Sequence, residues 1–275
     1  MTHQAPTAAP LLSVNGLRKT YRLPGGGRLT AADDITFSVP AGGSLGIVGE
    51  SGSGKTTVAR MLVGLVSPDA GTVAVSGQLR APRTPRGRKA RLARARQIQM
   101  VFQDPYVSLD PRLTARQCVT TALRLHGRDA KAADGLLDQV GLGAREADAG
   151  PHRLSGGQRQ RLAIARALAV EPRVLVLDEA VAALDVSIQA QILQLLGEIR
   201  DDTGVALVFV SHDLAVVHHI TDEVVVMRHG TVVEQGPTAD VLAGPRHPYT
   251  RLLLASVPRA GWDPADAVTA RAAMV

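Results

Sequence analysis

Gly49-Glu50-Ser51-Gly52-Ser53-Gly54-Lys55-Thr56 is the stretch that decides the fold. Its spacing is G-x-x-x-x-G-K-[ST], the pattern of a phosphate-cradling P-loop. Successive backbone N–H groups of such a loop turn inward and bind phosphate oxygens. Glycine is needed because the loop visits backbone angles that a Cβ forbids. Residues 44–48 form a short apolar run before the loop, read as a strand. Residues 55–65 carry Val58, Met61, Leu62 and Leu65 at helical spacing. That helix would point its positive end at a bound anion. Lys55 is positioned for the β- and γ-phosphates of a nucleotide, and the Thr56 hydroxyl for a Mg²⁺ ion beside them. Thr57 belongs to the same nucleotide-binding segment and also reads as an ordinary helix residue.

Further along, Val174-Leu175-Val176-Leu177-Asp178-Glu179 is an apolar strand ending in two carboxylates. Burial of that strand would deliver both acids to the carboxyl edge of a sheet, where open α/β sheets bind ligands. Asp178 is then a Mg²⁺ ligand, directly or through water, and Glu179 a general base for an attacking water. Taken alone, the pair could instead be a turn with a helix N-cap; the upstream P-loop favours the metal.

The rest of the chain alternates strands and helices, as an α/β core should. Residues 72–75, 98–102, 206–210 and 223–227 read as strands, and residues 157–169 and 188–200 as helices. His229-Gly230 would close a hairpin onto residues 231–234, without the favoured Asn-Gly turn. Between residues 105 and 153 the pattern becomes helical, with helices expected at 113–125 and 130–140. The chain therefore divides into residues 1–104, a helical insertion at 105–153, and residues 154–258. Residues 259–275 are expected to form a flexible tail.

The chain has 275 residues, 45% of them hydrophobic and 20% charged, enough for a sizeable core. One cysteine, Cys118, rules out an internal disulfide and a multi-thiolate metal site, which suits a reducing compartment. No run approaches the roughly 18 apolar residues of a membrane span. The first residues lack the basic start of a signal peptide, and Pro10 interrupts the stretch after them. The net charge of +6 is concentrated at residues 83–96, which hold six arginines and Lys89 with no acid. A basic run can bind nucleic acid or an anionic surface, or form a solvated helix face. No aromatic residue interleaves it, which weakens a base-stacking role; no nucleic-acid partner is expected, and action on nucleic acid or ribosomes stays as the alternative that the run alone supports.

Leu154-Ser155-Gly156-Gly157-Gln158-Arg159-Gln160-Arg161 resembles the signature of ATP-binding cassette (ABC) proteins. With it, other positions fall into that family's order. Gln103 resembles the Q-loop glutamine, which the family uses to sense Mg²⁺ and the γ-phosphate. Ala183-Leu184-Asp185 resembles the D-loop, and Asp185 also suits the N-cap of the next helix. His212 in Ser211-His212-Asp213 resembles the switch histidine that contacts the γ-phosphate. Tyr21 stands where the family has an aromatic that stacks on adenine, although a tyrosine can equally pack a sheet face.

The resemblance implies an α/β fold: a P-loop NTPase (RecA-like) core of the ABC type. An N-terminal antiparallel β subdomain and an inserted α-helical subdomain would complete it. It implies ATP and Mg²⁺ as ligands. Phosphate contacts would come from Gly49 to Thr57 and, across a dimer, from the signature residues Ser155, Gly156, Gly157 and Gln158, with Asp185 at the interface. Glu179, His212 and Gln103 would be catalytic; Thr56, Gln103 and Asp178 would serve the metal. Implied partners are a second ABC ATPase subunit, homologous or identical, and two transmembrane permease subunits. An extracytoplasmic solute-binding protein would act through the permease. The chain would sit on the cytoplasmic face of the membrane.

Three stretches narrow the resemblance: residues 98–106 with 108–112, residues 185–191, and residues 247–258. All are similar to the oligopeptide/dipeptide/nickel importer ATPases, in the subunit that lacks an iron–sulfur cluster. One segment departs. Ala180-Val181-Ala182 stands where the family usually has Pro and, two positions on, Ser. The change is expected to leave the turn less rigid and to remove a hydrogen bond worth about 0.5–1.5 kcal/mol.

Overall fold

The structure, a computed structural model, describes residues 9–256. Strands β1 (Leu12–Arg22) and β2 (Arg28–Val39) pair antiparallel. Val14 and Leu17 are both buried, which breaks the strict two-residue period of a strand. An irregularity between them absorbs the extra residue, with Gly16 at φ 59°. β3 (Ser44–Val48) leads through the glycine-rich loop into α1 (Lys55–Val63). β4 (Ala70–Val75) then returns beside β1, and β5 (Gln78–Leu79) adds a short edge. These strands form an antiparallel sheet of order β2-β1-β4-β5.

Next come α2 (Arg88–Gln97), β6 (Ile98–Val101) and the helical insertion, α3 (Ala115–Leu125), α4 (Ala133–Gln139) and α5 (Ala144–Ala147). α6 (Gly156–Leu168), β7 (Val174–Asp178), α7 (Val186–Thr203) and β8 (Ala206–Ser211) resume the alternation. α8 (Leu214–Ile220), β9 (Glu223–Arg228), β10 (Thr231–Pro237), α9 (Thr238–Ala243) and α10 (Pro248–Ala255) complete the order. The second sheet has the order β10-β9-β3-β8-β7-β6. Its neighbours pair in parallel from β9 to β6, and β10 pairs antiparallel with β9.

That parallel sheet is covered on both faces, so its strands are apolar throughout. Val174, Val176, Val208 and Val210 face a core shared with β1, β2 and α1. Leu175, Leu177, Leu207 and Phe209 face a second core shared with α3, α6, α7 and α8. Gly46 of β3 is a packing requirement: a Cβ there would lie 2.4 Å from Val217 Cγ1. The absence of a side chain lets α8 lie close on the sheet.

Several elements differ from the sequence reading. The helix expected at 130–140 splits into a 3-10 turn, Ala130–Ala132, and α4, because the Asp129 carboxylate accepts from the Lys131 N–H and opens a separate turn. The helix expected from 188 begins at Val186, since Asp185 already supplies the extended N-cap backbone. The hairpin after β9 has His229 at φ 48° and Gly230 at φ 83°. Left-handed angles at both positions match the twist of paired strands, so the His-Gly pair serves as Asn-Gly would. α2 has no buried residue. Yet Arg94 donates to the Ala81 carbonyl at 2.5 Å, and Arg96 to the His126 carbonyl. The basic helix is thus anchored to the chain at two of its arginines. The expected tail at 259–275 lies outside the described residues. Among the described residues no helix is long and apolar enough to cross a membrane.

All parallel strands run the same way. The segments after β3, β6, β7 and β8 therefore emerge at one edge, the edge where ligands bind in such sheets.

Candidate functional site

The loop between β3 and α1 is shaped by steric need. Gly49 has φ 153° and Gly54 φ 105°, both in the left-handed half of backbone space. A Cβ on Gly49 would meet the Met227 carbonyl oxygen at 2.2 Å, and one on Gly54 the Ala31 carbonyl oxygen at 2.0 Å. Those neighbours are backbone, so no side chain fits at either position. Glu50, Ser51 and Gly52 are exposed, whereas Ser53 and Lys55 are buried. The loop is also tied from behind: the Gly230 N–H donates to the Ser53 carbonyl at 3.0 Å.

Lys55 is 4% exposed. Its ammonium donates to the carbonyls of Gly49 at 2.7 Å and Glu50 at 2.9 Å. Burial lowers its pKa, against the opposing pull of Glu179, Asp178 and Glu50. The nearby carboxylates favour its charged form and partly offset the burial. The Ser53 hydroxyl is buried without a partner, an orphan that a phosphate oxygen can satisfy.

Next to this cradle the Thr56 hydroxyl donates to Asp178 Oδ1 at 3.3 Å. Asp178 closes β7 and is 7% exposed. Burial raises its pKa; the Thr56 hydrogen bond works against that and Glu179 adds to it. A hydroxyl beside a carboxylate is a pair of hard oxygen donors, which suits Mg²⁺. Among the described residues no cluster of three or more His, Cys, Asp or Glu forms a metal cage.

Glu179 adopts φ 48°, rare for a residue with a side chain. Its N–H donates to the Val210 carbonyl at 2.9 Å, which fixes the turn against β8. Its Oε1 lies 3.4 Å from His212 Nδ1. Glu179 is the more buried of the two side chains and His212 is largely exposed. β7 and β8 thus bring together an acid and a histidine that are 33 residues apart. The altered segment after Glu179 is well secured. Ala180 and Val181 are buried. The Ala182 N–H donates to the Glu179 carbonyl at 3.1 Å, and Gln189 Nε2 to the Val181 carbonyl at 2.9 Å. Packing and these bonds are what fix the turn where the family usually has a proline.

The remaining candidates form a second group. Ser155 caps α6 in a reciprocal box: its Oγ accepts from the Gln158 N–H at 3.2 Å, and Gln158 Oε1 from the Ser155 N–H at 2.9 Å. A Cβ on Gly157 would meet Ile188 Cγ2 at 2.6 Å, so Gly157 lets α6 press on α7. Asp185 occupies the N-cap position of α7 but its side chain makes no cap hydrogen bond. Gln103, just past β6, is exposed. Tyr21, near the end of β1, is 36% exposed and has Lys19 Nζ 5.7 Å from its ring centre. That exposure leaves part of its ring surface open at the strand end. Thr57 is a half-buried residue of α1.

Sequence reasoning missed one contact. The Glu50 N–H donates to Tyr249 Oη at 2.9 Å, so α10 touches the P-loop. Pro248 in the first turn and His247 before it marked a helix start there. Nothing in the local pattern linked that helix to a loop 199 positions away.

A parallel α/β sheet with a P-loop, a hydroxyl–carboxylate pair and an acid–histidine pair at one edge defines a nucleotide-hydrolysing P-loop protein. The ABC transporter family matches residues 32–182, and the C-terminal region of the oligopeptide/dipeptide transporters matches residues 233–273. The chain belongs to the ABC transporter family, as its ATP-binding, ATP-hydrolysing component. It is 48% identical over 262 residues to a probable peptide ABC transporter ATP-binding protein, y4tS, of Sinorhizobium fredii, covering 90% of this chain and 72% of that one. It is 45% identical over 270 residues to the oligopeptide transport ATP-binding protein OppD of Mycobacterium tuberculosis, covering 94% of this chain and 43% of that one. The chain therefore spans less than half of that longer relative. The fold is similar to cbiO1 of Clostridium perfringens, part of the ABC transporter complex cbiONQ, with TM-score 0.73 and 29% identity over 86% of this chain and 91% of that one. It is equally similar, at TM-score 0.73 and 29% identity, to the cassette MJ0796 in a dimeric post-hydrolysis state bound to ADP and Pi, over 82% of this chain and 98% of that one.

Proposed function

We propose that this chain energises the import of oligopeptides or dipeptides through a separate permease. The supporting observation is the match of residues 233–273 to the oligopeptide/dipeptide transporter C-terminal region, together with relatives named for peptide transport. In this reading the cassette works at the cytoplasmic face of the membrane. It pairs with a second ABC ATPase subunit and two transmembrane permease subunits. A solute-binding protein outside the membrane selects the cargo. The helical insertion at 105–153, set between cores at 1–104 and 154–258, carries motion to the permease.

The chemistry is built from the site. The P-loop backbone between Gly49 and Thr56, apart from the Glu50 N–H that Tyr249 holds, and the Lys55 ammonium bind the nucleotide phosphates, and Tyr21 stacks on the base. Thr56 and Asp178, together with Gln103, would hold a Mg²⁺ ion, which would supply charge neutralisation at the phosphates when bound. Glu179 accepts a proton from the attacking water at its carboxylate. His212 orients Glu179 and meets the γ-phosphate. Ser155, Gly156, Gly157 and Gln158 meet the nucleotide held by the partner subunit. They sit at a helix N-terminus, which favours an anion. Asp185 completes that interface. Loss of the γ-phosphate removes what both subunits share, and the pair opens.

The test is uptake in vesicles that carry the permease and this subunit with its mate, supplied with Mg-ATP and labelled di- to pentapeptides. ATP-dependent accumulation of peptide is the expected result. ATP hydrolysis without peptide accumulation would sink the cargo assignment. Failure of the wild-type chain to bind Mg-ATP would sink the whole reading.

A further inference from the structure

The C-terminal helix reaches into the nucleotide site from behind. Tyr249 on α10 is 1% exposed, and its Oη accepts the Glu50 N–H at 2.9 Å. The Arg228 guanidinium, at the end of β9, lies 5.1 Å from the centre of the Tyr249 ring, within cation–π range. α10 itself is fixed in place. His247 Nδ1 accepts from the Tyr249 N–H at 3.1 Å. The Glu234 carboxylate on β10 accepts from the N–H groups of Arg246 at 2.8 Å and His247 at 3.1 Å. The same β9–β10 hairpin contributes the Gly230 N–H that holds the Ser53 carbonyl. Two backbone points of the P-loop, Glu50 and Ser53, are therefore gripped by the last quarter of the chain.

We propose that Tyr249 is a positioning residue for ATP binding, acting through the Glu50 N–H to fix the backbone of the P-loop. The inference rests on the nucleotide site described above and adds to it a residue of the C-terminal region. A loop with several glycines has many conformations, and ordering it on binding weakens affinity. A tether from a buried, rigid ring lowers that ordering cost before the ligand arrives. The Tyr249 hydroxyl bonds backbone, so it acts without touching the nucleotide.

Tyr249→Phe keeps the ring and removes only the hydroxyl. The expected result is a three- to tenfold weaker Kd for Mg-ATP, with kcat at saturating ATP within twofold of wild type. That range corresponds to a hydrogen bond of about 0.5–1.5 kcal/mol. A control separates positioning from general destabilisation: Leu137→Ala empties a buried site in the helical insertion, away from the P-loop. If Leu137→Ala, with an equal or larger fall in Tm, leaves the Kd unchanged while Tyr249→Phe weakens it, the proposal stands. If both weaken ATP binding alike, or if Tyr249→Phe binds ATP as wild type does, the proposal is overturned. Wild-type binding in the same assay keeps this outcome distinct from a failure of the ATPase reading.

Discussion

The P-loop side and the signature side of this molecule are built differently. On the first, functional groups are tied to their own chain. Lys55 holds two loop carbonyls, Thr56 meets Asp178, and Ser53 and Glu50 are tethered by Gly230 and Tyr249. On the second, Ser155 and Gln158 bond each other, and the Asp185 carboxylate makes no cap hydrogen bond. The first side is preorganised for a ligand that the chain can hold alone. The second presents polar groups at a surface. Substitutions on the two sides should therefore separate ATP binding from dimer-dependent turnover.

The sharpest break in that contrast is Glu179→Gln. Removing a general base is expected to lower kcat by about 10²–10⁴-fold. ATP affinity should stay within a few-fold, since the amide keeps the shape of the left-handed turn. Gel filtration with Mg-ATP should then show accumulation of the dimer. Turnover near wild type would remove Glu179 from its role. Lys55→Ala comes next. It deletes a buried cation that carries charge-assisted hydrogen bonds, each worth about 1.5–3 kcal/mol. Equilibrium titration should show ATP affinity falling by about 10–150-fold. Both effects belong to the preorganised side, and a monomer should show the second one in full.

Ser155→Ala probes the other side. Loss of the cap should destabilise α6 by about 0.5–2 kcal/mol, read as a lower Tm. ATP affinity of the isolated chain should not change beyond twofold, while turnover of the assembled pair should fall. A matched loss of monomer affinity would erase the distinction between the two sides.

Much of the preorganised side was legible because its signals are contiguous. Gly49 to Thr56 fixes the loop, and the apolar run before Asp178 and Glu179 fixes a buried strand. The order of the sheet was not legible. Each of its strands is apolar on both faces, so no alternation marks which neighbour it takes. The His229-Gly230 turn departs from the favoured residue pair, yet its two left-handed residues serve the hairpin well. The basic run at 83–96 reads as one block, but Arg94 and Arg96 leave it to bond carbonyls of Ala81 and His126. Tyr249 was hidden for the plainest reason: its partner is a backbone N–H, and backbone groups carry no residue identity. Side-chain pairs such as Thr56 with Asp178 leave a trace in the sequence; a tyrosine on a main-chain amide leaves none.

The smallest effect, and the most revealing, is expected from Asp178→Asn. Burial raises the Asp178 pKa above its ordinary 3.8. A raised carboxyl pKa means that the folded state holds the proton more tightly than the unfolded chain. Stability without ligand is therefore lost as pH rises from about the ordinary value through the raised one. Above the raised value the penalty of a buried carboxylate is present in full. The neutral amide removes that penalty and still accepts the Thr56 hydrogen bond, so the ligand-free Asp178→Asn protein should melt slightly higher than wild type. If Asp178 holds Mg²⁺ as proposed, the ion would relieve the same penalty in wild type, so the Tm gain on adding Mg-ATP should be larger for wild type than for the variant. Differential scanning fluorimetry at pH 7, with and without Mg-ATP, reads both quantities. A variant that melts lower without ligand, yet gains as much from Mg-ATP as wild type, would mean that Asp178 stabilises the strand end and not the metal. The preorganised side would then lack its metal carboxylate.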